Sequence, residues 1–186
     1  MKEELKKLKE MYQDYITNYS LDSAALSWEA SRFLFRLMNK RKPICILDTG
    51  SGFSSALTRY YASLNPGVVC VTIEDDTNWL GVTRSFLEKY GLATQNLSIG
   101  LQSIKDFYFD FIIHDYSHVA TGTRFYTLPE VAERMASNAV IYIDDMHMQD
   151  YHNAVLEFAR AKALTLSDLQ IATIDKFSRY GVLLNN

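Results

Sequence analysis

Short apolar runs alternate with amphipathic segments along most of the chain. The segments between the runs carry apolar residues three and four positions apart, the spacing of a helix that packs on one face. Near-continuous apolar strands between such helices predict a parallel sheet covered on both faces. The predicted strands are Ile44–Asp48, Val68–Glu74, Leu97–Ile99, Phe109–Asp115 and Ala139–Asp144, and the predicted helices lie near Ser54–Leu64, Asn78–Tyr90, Arg124–Ala136 and Gln149–Ala163.

The N-terminal part, before the first predicted strand, is helical by its pattern. Apolar residues at helical spacing predict a helix over residues 2–18, and Asp22 or Ser23 can cap a second helix. A length of 186 residues fits one domain, and 48% hydrophobic content is ample for its core. We therefore expect a single domain over residues 1–186, in which residues 1–40 form a helical lid.

The C-terminal part predicts a different connection. Leu169–Ile174 and Tyr180–Leu184 flank a short polar stretch that leaves no room for a helix between them. This pattern predicts a hairpin, so the sheet acquires an antiparallel edge. The expected fold is α/β: a Rossmann-like, doubly wound sheet that is mostly parallel, with an antiparallel C-terminal strand and helices on both faces.

Composition and charge narrow the range of functions. The net charge of −3 gives no electrostatic case for binding nucleic acid or an anionic membrane. The charged N-terminus is not a signal peptide, and no apolar run approaches membrane-spanning length. Cys45 and Cys70 lie inside apolar runs, which favours reduced, buried thiols over a disulfide. These features predict a cytoplasmic protein.

Carboxylates follow most of the predicted strands directly. Asp48, Glu74, Asp115, Asp144 and Asp145 each lie at or just after the end of an apolar run. One such residue is explained by turn formation or helix capping, but acids at four of five strand ends are not explained well by independent turns. In doubly wound sheets, ligands bind outside the carboxyl ends of the strands. The acids therefore predict a ligand site at this edge.

The stretch Asp48-Thr49-Gly50-Ser51-Gly52 leads from the first predicted strand into a helix. Glycines there allow positive φ and close approach of a ligand, and the helix start offers free N–H groups. A nicotinamide cofactor would also use a glycine loop and a later acid such as Glu74, but the third glycine of that pattern is Ser55. Asp48 would also repel a pyrophosphate, whereas it would favour a ligand with a cationic amino group and a sulfonium.

Through these residues, the chain from about residue 20 onward resembles the class I S-adenosylmethionine-dependent methyltransferases. Within that class it is most similar to the small catechol O-methyltransferase-like enzymes and their bacterial relatives. The first motif of that family is matched by residues 48–52, with Ser54 at its usual third glycine. The resemblance implies that Glu74 holds the ribose hydroxyls of S-adenosylmethionine, and that Gln102 and Ser103 border the adenine. The full set of expected cofactor-binding residues is Asp48, Gly50, Ser51, Gly52, Ser54, Glu74, Asp75, Gln102, Ser103 and Asp115.

The same resemblance implies methyl transfer to an oxygen of the acceptor. The short predicted loops leave no room for a large substrate domain, which favours a small molecule, or a small group on a larger one, as the acceptor. The resemblance implies His118 as the general base, beside Asp115, since an imidazole can accept a proton near neutral pH. It also implies a site for Mg²⁺ or another divalent cation formed by Asp115, Asp144 and Asp145, whose oxygen donors suit such an ion. His147 is a second candidate base or ligand, and a homodimer is a further possibility.

Two other functions stay open on the sequence alone. The protein could bind S-adenosylmethionine or its nucleoside without methylating, because Ser54 and Asn138 replace glycines usual in active relatives. The weaker alternative is an NAD-dependent oxidoreductase. The aromatic residues of the leading helices are equally open, since they could cover an acceptor or pack in the core.

Overall fold

The computed structural model describes residues 1–105, 107–116 and 124–185, and these form a seven-stranded sheet with helices on both faces. The strands are β1 Cys45–Thr49, β2 Val69–Glu74, β3 Leu97–Ile99, β4 Phe109–His114, β5 Met135–Ile143, β6 Thr165–Asp168 and β7 Val182–Asn185. The helices are α1 Lys2–Asn18, α2 Trp28–Arg41, α3 Phe53–Leu64, α4 Thr77–Lys89, α5 Leu128–Ala132, α6 Gln149–Ala161 and α7 Gln170–Thr173. Short 3₁₀ turns cover Leu101–Ile104 and Arg124–Thr127.

The strand order in the sheet is β3-β2-β1-β4-β5-β7-β6. Strands β1 to β5 pair in parallel, whereas β7 lies antiparallel between β5 and β6. The order reverses between β1 and β4, which is the point where doubly wound sheets bind ligands. The predicted fold class, including its antiparallel C-terminal strand, is confirmed.

Two buried layers lie on the two faces of the sheet. Ile46 and Leu47 are neighbours in β1, and both are fully buried, but they belong to different layers because successive side chains of a strand point to opposite faces. One layer holds residues of α1 to α4 and the other residues of α5 and α6. Among the described helices, none has the length and apolar character needed to cross a bilayer.

The predicted helix over residues 124–136 is wrong in its extent. Only Leu128–Ala132 is α-helical, and β5 begins at Met135, four residues earlier than predicted. The early part of β5 is half exposed, so no apolar run marks it in the sequence. It forms a strand because Met135 pairs with Phe109 at the start of β4. The register between these strands shifts after Phe109, which accommodates the longer strand.

The C-terminal hairpin is also displaced from its predicted position. Its first strand is Thr165–Asp168, and the segment predicted as that strand contains the helix α7 instead. β6 lies at the sheet edge with mostly exposed side chains, so its sequence carries no apolar signal. The Asp168 carboxylate accepts a hydrogen bond from the Gln170 amide at 2.7 Å, which favours a helical turn directly after the strand.

Gly50 allows the ends of β1 and β4 to approach each other. Its φ is +85°, and a Cβ built on it would lie 2.3 Å from the backbone oxygen of Asp115. The Asp115 amide donates to the oxygen of Thr49 at 2.9 Å, so the two strand ends are already hydrogen-bonded at this point. A side chain at position 50 would push them apart.

We therefore expect Gly50→Ala to destabilise the protein through both its positive φ and this contact. Gly67→Ala is the matched control, because Gly67 has a similar φ of +95° and no described residue, apart from its chain neighbours, has an atom within 4 Å of its Cβ position. In urea unfolding, Gly50→Ala should lose about 1–3 kcal/mol more than Gly67→Ala, the usual range for overpacking. Equal losses would show that the contact with Asp115 has no energetic effect.

Candidate functional site

The structure brings the acidic strand ends together. In the order β2-β1-β4-β5, the carboxyl ends carry Glu74, Asp48, Asp115 and the pair Asp144 and Asp145. Because these four strands are parallel neighbours, their ends lie at one edge of the sheet. All of them except Asp115 are buried. The edge therefore concentrates negative charge with little solvent around it.

Asp48 has no exposed surface. Its Oδ2 accepts hydrogen bonds from the Ser55 hydroxyl at 2.5 Å and from the Thr72 hydroxyl at 3.2 Å. Arg59, also buried, donates from Nη1 to the Thr72 oxygen at 2.7 Å. Within the part of the chain that the structure describes, the Asp48 Oδ1 has no hydrogen-bond partner. Burial raises the pKa of Asp48 to about 6, against the opposing hydrogen bond from Ser55.

Glu74 holds the glycine loop against β2. Its Oε2 accepts from the Ser51 amide at 2.8 Å and from the Ser51 hydroxyl at 3.0 Å, and its Oε1 accepts from the amides of Asp75 and Asp76 at 2.9 and 3.1 Å. An ionised carboxylate offers about four acceptor positions, so the chain itself engages them all. A ligand hydroxyl that binds Glu74 must therefore replace or share one of these contacts.

Gly52 faces two aromatic side chains. Its φ is +151°, and a Cβ at this position would have the Tyr15 hydroxyl at 3.3 Å and the Trp79 Nε1 at 3.9 Å as neighbours. Trp79 Nε1 donates to the backbone oxygen of Ser51 at 2.7 Å. The buried Tyr15 hydroxyl has no hydrogen-bond partner among the described residues. The space beside Gly52 thus adjoins a buried hydroxyl group.

The other expected cofactor residues flank this loop. Ser54 donates its hydroxyl to the Gly50 oxygen at 3.3 Å. Gln102 and Ser103 are exposed in the turn after β3, and that turn adjoins Glu74 because the Gly100 amide donates to the Glu74 backbone oxygen at 3.1 Å. The predicted adenine border therefore lies beside the predicted ribose acid. The binding roles of these residues stay predictions.

Arg124 lies between two of the acids proposed as metal ligands. Its Nη1 pairs with Asp115 Oδ1, and its Nη2 lies 2.8 Å from Asp145 Oδ2. Burial raises the pKa of Asp115, and the Arg124 guanidinium opposes that shift. Asp145 has a φ of +60°, which Asp tolerates better than most residues.

The third acid is turned to a different partner. Asp144 accepts a hydrogen bond from the Tyr142 hydroxyl at 2.9 Å. His147 Nδ1 lies 3.5 Å from Asp145 Oδ1, too far for a hydrogen bond. Across residues 1–105, 107–116 and 124–185, no three His, Cys, Asp or Glu side chains converge as metal ligands. In this arrangement the three acids do not fit a divalent ion.

The histidines have different positions. His118, the predicted base, lies outside the described residues. His114 is fully buried, with Nδ1 3.1 Å from the Tyr151 hydroxyl and Nε2 3.0 Å from the Thr127 hydroxyl. Burial, together with the nearby Arg124 charge, lowers the pKa of His114 to about 3. His114 is therefore a neutral structural group that ties α6 and the turn at Thr127 to β4.

Comparison with known proteins identifies the fold. No protein-family model and no curated protein matches the chain. The structure of the O-methyltransferase from Bacillus cereus in complex with SAH is 21% identical, covering 96% of this chain and 90% of that chain with a TM-score of 0.72. TomG from Streptomyces achromogenes, an O-methyltransferase of tomaymycin synthesis in complex with SAM, is 21% identical at 98% and 88% coverage, with a TM-score of 0.66. The SAH-bound methyltransferase PaMTH1 from Podospora anserina is 17% identical at 96% and 86% coverage, with a TM-score of 0.66.

The chain has the Rossmann-like fold of these methyltransferases. At such identities the likeness establishes the fold, and the site has to be argued from this chain's own residues.

The helices α1 and α2, which precede the first strand, border a cavity. A space of about 310 Å³ lies between α1, the start of α2 and the connection from β6 to β7. Tyr12 and Trp28 line it on the helical side, and Lys176 and Phe177 on the other. Tyr12 also packs edge-on against Phe53, the first residue of α3, with ring centroids 5.1 Å apart. The leading helices therefore reach from the glycine loop to this cavity.

Sequence reasoning missed four residues of the site: Ser55, Arg59, Thr72 and Arg124. Arg59 could have been found from the sequence, because it is a charged residue on the core-facing side of α3 and a buried arginine needs polar partners. Thr72 is paired with Asp48 in the β1–β2 register, which only the fold reveals. Arg124 follows Asp115 by nine positions and has no pattern that marks it as a site residue.

The raised pKa of Asp48 predicts a pH-dependent stability. The pKa of Asp48 is about 6 in the folded protein, against about 3.9 for an aspartate in the unfolded chain. The fold is therefore more stable at low pH, where Asp48 is protonated, and it loses this stability as the pH rises through about 6. We therefore expect Asp48→Asn to raise the ligand-free Tm at neutral pH by at least about 2 °C, and to have a smaller effect near pH 4.

Thermal unfolding of both proteins across this pH range measures the effect. Glu157→Gln, at an exposed position inside α6, serves as the matched control and should leave Tm nearly unchanged. If Asp48→Asn lowers Tm at every pH, the buried carboxylate is stabilising and our description of its environment is incorrect.

Proposed function

We propose that the protein is an S-adenosylmethionine-dependent methyltransferase that transfers the methyl group to an oxygen of a small molecule. The observation that carries this proposal is the buried Asp48 carboxylate with an unpartnered oxygen, directly before the glycine loop. The unpartnered Tyr15 hydroxyl opposite Gly52 supports it. The solved O-methyltransferases from Bacillus cereus and Streptomyces achromogenes, with SAH and SAM bound, share the fold.

The residues at this edge fit S-adenosylmethionine. Asp48 is suited to the cationic amino group of its methionine part, since an opposite charge offsets the unfavourable burial of the carboxylate. Glu74 is suited to the ribose hydroxyls, with Ser51 adjusting its own hydrogen bonds to Glu74. Bound there, the cofactor supplies a methyl group that is electrophilic because it is carried by a sulfonium.

The acceptor would be held between the strand ends and the leading helices. The residue 1–40 segment acts as a lid, and Tyr12 and Trp28 of its two helices line the 310 Å³ cavity. A space of this size suits a small molecule. We assign His118 the role of base, which removes the proton of the acceptor hydroxyl, and Asp115 a positioning role beside it. The cytoplasmic location, the single domain and the homodimer remain predictions.

The two alternatives lack a specific observation in their favour. An NAD-dependent oxidoreductase would place a pyrophosphate near the buried Asp48, where the negative charges repel. Binding without methylation uses the same residues, so a measurement has to separate it from transfer.

The cofactor site is tested by Glu74→Gln. The amide cannot accept as many hydrogen bonds as the carboxylate, so the Kd for S-adenosylhomocysteine should rise about 10- to 100-fold, the equivalent of about 1.5–3 kcal/mol for bonds to a charged group. Calorimetry measures this, with the exposed Glu88→Gln as control. An unchanged Kd in the folded variant would remove Glu74 from the site, and binding of NADH in place of S-adenosylhomocysteine would overturn the cofactor assignment.

Methyl transfer itself is tested with S-adenosylmethionine labelled in the methyl group and a panel of small catechols, phenols and hydroxylated aromatic acids. We expect a labelled ether product, and His118→Ala should slow its formation by about 10²- to 10⁴-fold, the usual contribution of a general base. Tight cofactor binding without any labelled product would favour the binding-only alternative.

A further inference from the structure

A guanidinium lies where two strand-end carboxylates face each other. Arg124 contacts Asp115 through Nη1 and Asp145 through Nη2, so one side chain joins the carboxyl ends of β4 and β5. The Arg124 side chain is 26% exposed and that of Asp145 is 10% exposed, so water screens these contacts only in part. Paired in this way, the guanidinium offsets charge that burial alone would leave uncompensated.

The main chain around Arg124 is anchored on its C-terminal side. Arg124 begins the 3₁₀ turn that ends at Thr127, and the Thr127 hydroxyl lies 3.0 Å from Nε2 of the buried His114 in β4. Phe125 packs edge-on against Phe158 of α6, with ring centroids 6.0 Å apart. These contacts tie the start of the turn to the strand that carries Asp115 and to the helix that follows Asp145. The position of Arg124 is therefore set by the core of the fold.

A divalent ion at this place would have to displace that guanidinium. Arginine stays protonated in proteins, so it is a permanent positive charge, and a second cation beside it is repelled. Asp144 accepts from Tyr142 at Oδ1, and within the described ranges it forms no ion pair with Arg124. Among the described residues, no set of three metal-ligating side chains converges here.

We propose that Arg124 is the built-in cation of this site and takes the position that a divalent ion would have between Asp115 and Asp145. The protein then needs no divalent metal at these acids, and the positive charge near the acceptor oxygen comes from the guanidinium. The statement about the charge near the acceptor oxygen rests on the proposed function. The statement that these acids need no divalent metal concerns metal binding alone and is independent of turnover.

The test uses Mn²⁺ as the probe, followed by the electron paramagnetic resonance signal of the free ion and by calorimetry. Wild-type protein should show no site that depends on Asp145. Arg124→Gln removes the charge and keeps a polar side chain, so it should bind one Mn²⁺ per chain at least about tenfold more tightly than wild type. Arg124→Lys keeps the charge and should resemble wild type, as should Arg36→Gln at an exposed position of α2.

A second substitution locates the new site. Asp145→Asn in the Arg124→Gln background should abolish the gained Mn²⁺ binding, and Asn tolerates the positive φ at this position. The proposal is overturned if wild type binds one Mn²⁺ that Asp145→Asn removes, or if folded Arg124→Gln gains none. Should Arg124→Gln not fold, the wild-type and Asp145→Asn titrations decide: an Asp145-dependent site overturns the proposal, and its absence supports it. Failure to find methyl transfer would leave this result unchanged.

Discussion

The carboxylate of Asp48 is buried without any exposed surface, and the arrangement of the ligand edge is organised around it. The hydroxyls of Ser55 and Thr72 hydrogen-bond its Oδ2, and Arg59 reaches the same network through Thr72. These groups come from α3 and β2, so the network joins both to the end of β1. The glycine loop leaves β1 two residues later, and its course follows from this anchoring.

A buried charge with an unpartnered oxygen is unfavourable for the fold alone. Burying a carboxylate requires several compensating interactions, and Asp48 Oδ1 has no partner within the described residues. A bound cation that pairs with this oxygen would turn the unfavourable burial into binding energy. The same principle applies to the acids of β4 and β5, where Arg124 supplies the positive charge from within the chain. The two halves of the edge thus differ: Arg59 reaches Asp48 only through Thr72, which leaves Oδ1 for a cationic ligand, whereas Arg124 pairs directly with the acids of β4 and β5.

Sequence patterns predicted the parts of the molecule that depend on local hydrophobicity. The strands β1, β2 and β4 carry apolar runs because both of their faces are buried, and the acids at their ends follow the same pattern. β6 and the start of β5 were missed because exposed edge residues need no apolar side chains. The role of Thr72 and the position of Arg124 depend on strand register and on tertiary contacts, which no spacing along the chain encodes.

The Kd of S-adenosylhomocysteine as a function of pH shows whether Asp48 binds the cationic part of the cofactor. Because burial raises the pKa of Asp48 to about 6, the carboxylate is ionised at about pH 7.5 and largely protonated at about pH 5. Wild-type affinity should fall about tenfold for each pH unit below 6, whereas Asp48→Asn should bind weakly with no such dependence. The same Kd at both pH values in wild type, or full affinity in Asp48→Asn, would contradict this role of Asp48.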